Sequence, residues 1–228
     1  MTMRQRINFG DKRQTAHCVY CSKGIETKEH TPPKVLLDEP YPENLPIVHA
    51  CTICNQGYSL DEEYFACLIE CARVGSVDLK MIERDKIRVI LSRKKALLDK
   101  LEKAITKTPD GQKSFSIEPE RFKKVLLKIA QGHALYEQNE PKREDKISGF
   151  AFGTLEMLSE ESREIFETIP QANKSPEVGS RAMQNILISD DLVGMPWIEV
   201  QENRYRYLTF EEGVRMVFSE YLWCEIIW

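Results

Sequence analysis

The chain has no run approaching the roughly 18 to 20 consecutive apolar residues that a membrane-spanning helix needs. Its first residues, Met1-Thr2-Met3-Arg4-Gln5-Arg6, lack the apolar stretch of a secretory signal. Together these absences point to a soluble protein with the cytoplasm as its default address. Positive charge is also not in excess: 32 Lys and Arg stand against 36 Asp and Glu, for a net charge of −4. That excludes a uniformly basic coat for nucleic acid. No internal repeat or low-complexity tract is present, which sets aside repeat architectures.

What is present begins with size. A chain of 228 residues that is 42% apolar can bury a real core in one large or two small domains. Seven cysteines are an odd number, in a chain without an export signal, so metal binding outranks disulfides. Four of them form two Cys-x-x-Cys pairs, Cys18/Cys21 and Cys51/Cys54. Four thiolates at this spacing close one tetrahedral zinc site (Zn2+) with no open position, so the zinc is structural. Cys67 and Cys71 stand four apart on one helix; a second metal or an oxidant sensor is conceivable there, but buried helical cysteines are commoner. Cys224 lies among aromatic strand formers and reads as core.

Charge is distributed unevenly. Residues 1 to 34 carry seven Lys/Arg against three Asp/Glu, and residues 80 to 124 carry fourteen against seven. Residues 35 to 79 carry one against eight, and residues 137 to 228 nine against eighteen. A polyphosphate can follow the two basic segments and avoid the acidic C-terminal part, although a merely solvated basic helix accounts for 80 to 107 equally well.

The pattern predicts an α+β protein in three segments: a loop-rich zinc unit at 1–76, a helical hairpin at 77–145, and strands with short helices at 146–228. Leu45 to Ala50 reads as a strand running into Cys51. Ser59-Leu60-Asp61-Glu62 has the form of a capping box, which predicts a helix over 60–74 with Asp61, Glu62 and Glu63 in its first turn. Apolar residues from Leu79 to Ile105 predict one long amphipathic helix, broken at Thr108-Pro109-Asp110-Gly111. Pro119 opens a second helix that carries Phe122, Val125, Leu126, Ile129, His133 and Tyr136. His133 on that apolar face reads as a hydrogen-bonded core histidine. Ser159 caps a short helix, 172 to 180 is a polar loop, and the chain ends in an antiparallel sheet with a turn at Gln201-Glu202-Asn203.

Between the cysteine pairs stand Glu29 and His30, and Asn55 follows the last cysteine. A carboxylate and an amide oxygen suit a hard divalent cation such as Mg2+ or Mn2+. A neutral imidazole beside them can take a proton from water attacking a phosphodiester. These residue types therefore suit a hydrolytic centre in which zinc is only the scaffold.

Cys-x-x-Cys, then Glu-His followed by proline, then Asn44-Leu45, then Cys-x-x-Cys-Asn resembles the HNH endonuclease family in its zinc-stapled branch, whose fold is a ββα-metal unit. The resemblance covers roughly residues 15 to 66. It implies that His30 is the general base, that Glu29 and Asn55 hold the single catalytic ion, and that Asn44 braces the histidine-bearing loop. It also implies a nucleic-acid substrate, with DNA favoured over RNA. Two departures stand out: many members have Asp where this chain has Glu29, and many carry Lys or Arg shortly after the asparagine, where this chain has Gln56, Gly57 and Tyr58. Phosphate clamping then falls to Lys28, Lys34 or the basic helix after Asp78.

The expected function is thus metal-dependent hydrolysis of nucleic acid. The acidic C-terminal part is left for a protein partner, a nucleic-acid structure or another copy of the chain. The competing expectation is a zinc-stabilised module that binds nucleic acid or protein without cutting, and a thiol redox sensor is a third.

Overall fold

The computed structural model describes residues 7–107, 113–171, 174–188 and 195–228, and within them the chain is α+β. The expected break at Thr108-Pro109-Asp110-Gly111, the N-terminal Met1–Arg6 stretch, and Ala172 and Asn173 of the expected polar loop lie outside the described residues. No helix among the described residues is long and apolar enough to cross a membrane. The chain divides into two compact units: Met1–Gly57 with Leu126–Trp228, and Tyr58–Val125.

The first unit begins with an antiparallel ribbon of β1 (Thr27–His30) and β2 (Ile47–Ala50), in which Glu29 faces Val48 and His30 faces Ile47. Directly after Cys51, helix α1 (Thr52–Val74) starts, well ahead of the expected residue 60. Its N-terminus is satisfied from outside the local sequence. The Glu26 carboxylate accepts from the Thr52 N–H at 2.9 Å and the Cys51 sulfur from the Cys54 N–H at 3.4 Å. These acceptors do the work of an ordinary Ser or Asp cap. The expected capping box is consequently mid-helix, and Asp61, Glu62 and Glu63 are not first-turn acids.

The same unit contains the end of α4 (Pro119–His133), which begins at the proline as expected and runs into one π turn, Ala134–Gln138. Asn139 then ends it at φ 61°, a left-handed terminus that asparagine tolerates. Val19 and Val48 pack with Leu135 and Tyr136 from that turn. Further on, β5 (Gly149–Thr154), α5 (Glu160–Glu167) and α6 (Arg181–Ile188) lead to β6 (Ile198–Gln201), β7 (Tyr205–Phe210), β8 (Gly213–Phe218) and β9 (Leu222–Ile227). These strands form an antiparallel sheet in the order β5-β9-β8-β7-β6. Ser159 caps α5, its hydroxyl accepting from the Ser162 N–H at 3.1 Å. His133 is fully buried, stacked on Tyr207 with ring centroids 3.6 Å apart, and its Nε2 meets the Tyr205 hydroxyl at 2.7 Å. Tyr207 in turn donates to the Glu137 carboxylate at 2.6 Å, whose pKa burial raises.

In the second unit the single long helix expected from Leu79 to Ile105 is two, α2 (Asp85–Arg93) and α3 (Lys95–Ala104), separated by a non-helical Lys94 at φ −111°, ψ 71°. A short antiparallel ribbon of β3 (Ile105–Lys107) and β4 (Lys113–Phe115) follows. Leu91 and Leu101 are both fully buried, and the Lys94 ammonium between them in sequence meets Glu63 at 2.7 Å. Asp61 pairs with Arg121 at 2.6 Å and Lys124 at 2.7 Å, so the supposed cap is an anchor for the first turns of α4.

Candidate metal centre and its surroundings

Cys18 and Cys21 sit on a tight knuckle. The Cys18 N–H donates to the Lys23 carbonyl at 2.7 Å, and the Ser22 N–H, with Ser22 at φ 58°, donates back to the Cys18 carbonyl at 2.9 Å. The Val19 N–H donates to the His49 carbonyl at 3.1 Å, which fastens the knuckle to β2. Cys51 ends that strand and Cys54 lies in the first turn of α1, so three local structures converge. The ligand atoms of all four cysteines lie within 4.8 Å of one another, and Cys21 Sγ and Cys51 Sγ are 3.7 Å apart. Four sulfurs each about 2.3 Å from one zinc stand about 3.8 Å apart, so the donor set fits a tetrahedral zinc.

The electrostatics agree. Burial opposes ionisation of Cys18, but backbone N–H groups of Cys51, Tyr20 and Cys21 outweigh it and bring the thiol down to about 7. Cys54 moves the other way, pushed up by burial and then by the neighbouring sulfurs. One thiolate forms readily at Cys18, and its charge is among the causes that oppose a second at Cys54, a conflict that a bound cation would remove. Cys67, Cys71 and Cys224 are buried free thiols, with burial raising the pKa of each.

Glu29 and His30 are consecutive on β1, so their side chains leave opposite faces of the ribbon. Glu29 is 8% exposed, and its carboxylate is 3.1 Å from the ammonium of Lys128, a residue of α4 that is only 1% exposed. His30 is half-buried. Its Nδ1 has no hydrogen-bond partner among the described residues, and burial followed by the Lys34 charge lowers its pKa. Exposed lysines flank it at Lys28 and Lys34. Asn55, one turn into α1, reaches back to β1: its amide donates to Thr27 Oγ1 at 3.0 Å and lies 3.5 Å from the Lys28 carbonyl. Asn44 lies in the exposed turn before β2.

The four cysteines converge, whereas the acid and the amide each address a different neighbour and the imidazole leaves the other face of the ribbon. Lys128 meets Oε1 of this buried carboxylate while Oε2 makes no hydrogen bond among the described residues, and a Mg2+ or Mn2+ ion on Oε2 would stand within reach of the ammonium's repulsion, so the residues do not fit that ion in this arrangement.

Sequence reasoning missed the residues that hold the Glu-His loop in place. Thr31, 1% exposed, receives α4 closely: its hydroxyl donates to the Ile129 carbonyl at 3.2 Å, and its own N–H donates to the Pro46 carbonyl at 3.0 Å. Gly132 permits that approach, since a Cβ there would lie 2.7 Å from Thr31 Oγ1. The signal available was a lysine set within the apolar run Val125–Ala130 of α4, with Gly132 one turn after it. No protein-family model, curated protein or solved structure matches the chain.

Proposed function

We propose that this chain is a nuclease of the HNH type that hydrolyses phosphodiester bonds, with DNA its favoured substrate, His30 its general base, and a structural zinc at Cys18, Cys21, Cys51 and Cys54. One observation carries the reading: the four-sulfur cluster gathers the knuckle, the end of β2 and the start of α1 beside the strand that ends in His30, whose Nδ1 makes no hydrogen bond among the described residues. With its pKa held below the ordinary histidine value, His30 is unprotonated at neutral pH and able to accept a proton from water. Lys28 and Lys34 are exposed on either side of it, where a phosphate backbone meets them first. Asn44 is assigned the bracing of the histidine-bearing loop. The resemblance assigns a divalent ion to Glu29 and Asn55, where it would supply positive charge beside the phosphate; in this structure Glu29 pairs with Lys128 and Asn55 with Thr27.

The ion pair between Glu29 and Lys128 favours a second reading, a zinc-stabilised module that binds nucleic acid or protein without cutting. Plasmid incubated with Mg2+ or Mn2+ separates the two. Cleavage by the wild type, lost in His30→Ala while zinc content stays equal, supports the nuclease. Inactivity of the wild type, of His30→Ala and of a variant without the Lys128 charge, with retained DNA binding in a mobility-shift assay, supports the module.

A further inference from the structure

We propose that Lys128 is an internal lock on Glu29: its ammonium takes the position a divalent cation would occupy, and Glu29 becomes a metal ligand only when that ammonium is withdrawn. The two charges are 3.1 Å apart, and both side chains are almost wholly shielded from water. In such surroundings a carboxylate needs a counter-charge, and Lys128 supplies it from within the chain. The ammonium is recorded on Oε1, and Oε2 makes no hydrogen bond among the described residues; a divalent ion on that second oxygen would still stand a few ångströms from the ammonium and be repelled by it, so the charge of Lys128 opposes the ion.

The lysine is delivered by a helix built to dock on this segment. Lys128 addresses Glu29, the next residue's carbonyl accepts from the Thr31 hydroxyl, and Gly132, one turn later, leaves room for the Thr31 side chain. The Lys128 ammonium also lies 5.7 Å from the ring centroid of Tyr20, which stands between Cys18 and Cys21. The lock therefore sits beside the zinc knuckle and is gripped by the helix that grips the Glu-His loop. That what it locks is a nuclease rests on the preceding reading; that Lys128 excludes a divalent ion from Glu29 does not.

Mn2+ binding to the zinc-loaded full chain, read by electron paramagnetic resonance of free Mn2+, tests this in wild type, Lys128→Met and Glu29→Gln/Lys128→Met. The expected result is one Mn2+ site in Lys128→Met, tighter by about 10-fold or more than any in the wild type and absent from the double variant. A wild type that binds as tightly as Lys128→Met overturns the lock, as does a gained site that survives in the double variant. Should Lys128→Met fold poorly, Lys128→Gln keeps a donor without the charge, and no gain there is equally fatal. Plasmid cleavage keeps the two ideas apart. A gained Mn2+ site with no cleavage in any variant leaves the lock standing and removes the nuclease. Cleavage by the wild type that Lys128→Met does not enhance, together with no gain in Mn2+ affinity, removes the lock and leaves the nuclease.

Discussion

Two helical glycines, Gly57 in α1 and Gly132 in α4, are expected to respond to alanine in opposite directions. A Cβ at Gly57 meets no atom within 4 Å, so Gly57→Ala gains helix propensity without a clash, and stability should rise by about 0.5–1 kcal/mol. A Cβ at Gly132 would lie 2.7 Å from Thr31 Oγ1, 2.9 Å from its Cβ and 3.2 Å from its Cγ2. Thr31 cannot swing aside, because it is branched at Cβ, buried, and hydrogen-bonded to both Pro46 and Ile129. The helix must withdraw instead, at an overpacking cost of about 1–3 kcal/mol plus about 1 kcal/mol for the lost hydrogen bond, against about 1 kcal/mol of gained propensity. Net destabilisation is therefore about 1–3 kcal/mol, which lowers the melting temperature by ~2–10 °C for a chain of this size. Circular-dichroism melts of the zinc-loaded chain provide the measurement. Adding Thr31→Ala should make the pair less than additive, since it removes two of the three close atoms. If both glycine variants melt higher than wild type, α4 does not approach the Glu-His loop as described, and the placement of Lys128 on Glu29 fails with it.

Other outcomes follow from the same structure. Native mass spectrometry should find one zinc per chain, and a strong chelator or Cys51→Ser should remove it and loosen the packing of Cys18, Ala50 and Cys51, seen as a lowered melting temperature. Burial holds the His133 pKa well below its ordinary value, so below about pH 6.5 the unfolded chain takes up a proton that the folded chain refuses. Its contribution to stability is therefore present above the unfolded value and is lost as pH falls, at up to about 1.4 kcal/mol per pH unit. Glu137 shifts in the raised direction but is common to both proteins, so the difference between wild type and His133→Gln in urea unfolding isolates the histidine. A difference that does not change between pH 7 and pH 5 would contradict the burial argument.

The four-cysteine cluster was legible because Cys-x-x-Cys spacing is a local property, and so were the C-terminal antiparallel sheet and the Ser159 cap, where alternation and capping chemistry lie within a few residues. Helix α1 was misread because its N-terminus is satisfied by Glu26, on the far side of the β1–β2 ribbon in sequence, and by a cysteine sulfur. The break at Lys94 was hidden for another reason: lysine is a good helix former, and no glycine or proline stands near it to announce a break. Strand β5 escaped notice because its glycines, Gly149 and Gly153, have little strand propensity, and pairing with β9 decides the matter. The partner of Glu29 comes from a helix remote in sequence, and no local pattern announces it. Both boundaries between the compact units fall inside continuous helices, so no linker composition marks them.

The order in which the ribosome delivers the chain gives the interleaving of the first unit a practical meaning. Every cysteine of the metal knot has been made by residue 54, yet Val19 and Val48 wait for Leu135 and Tyr136 to cover them. A nascent chain thus has its whole cysteine cluster early and must hold it over an unfinished apolar patch while the whole second unit is synthesised. Any fragment cut before Tyr136 inherits that exposed patch, and should be sticky even when its metal is in place.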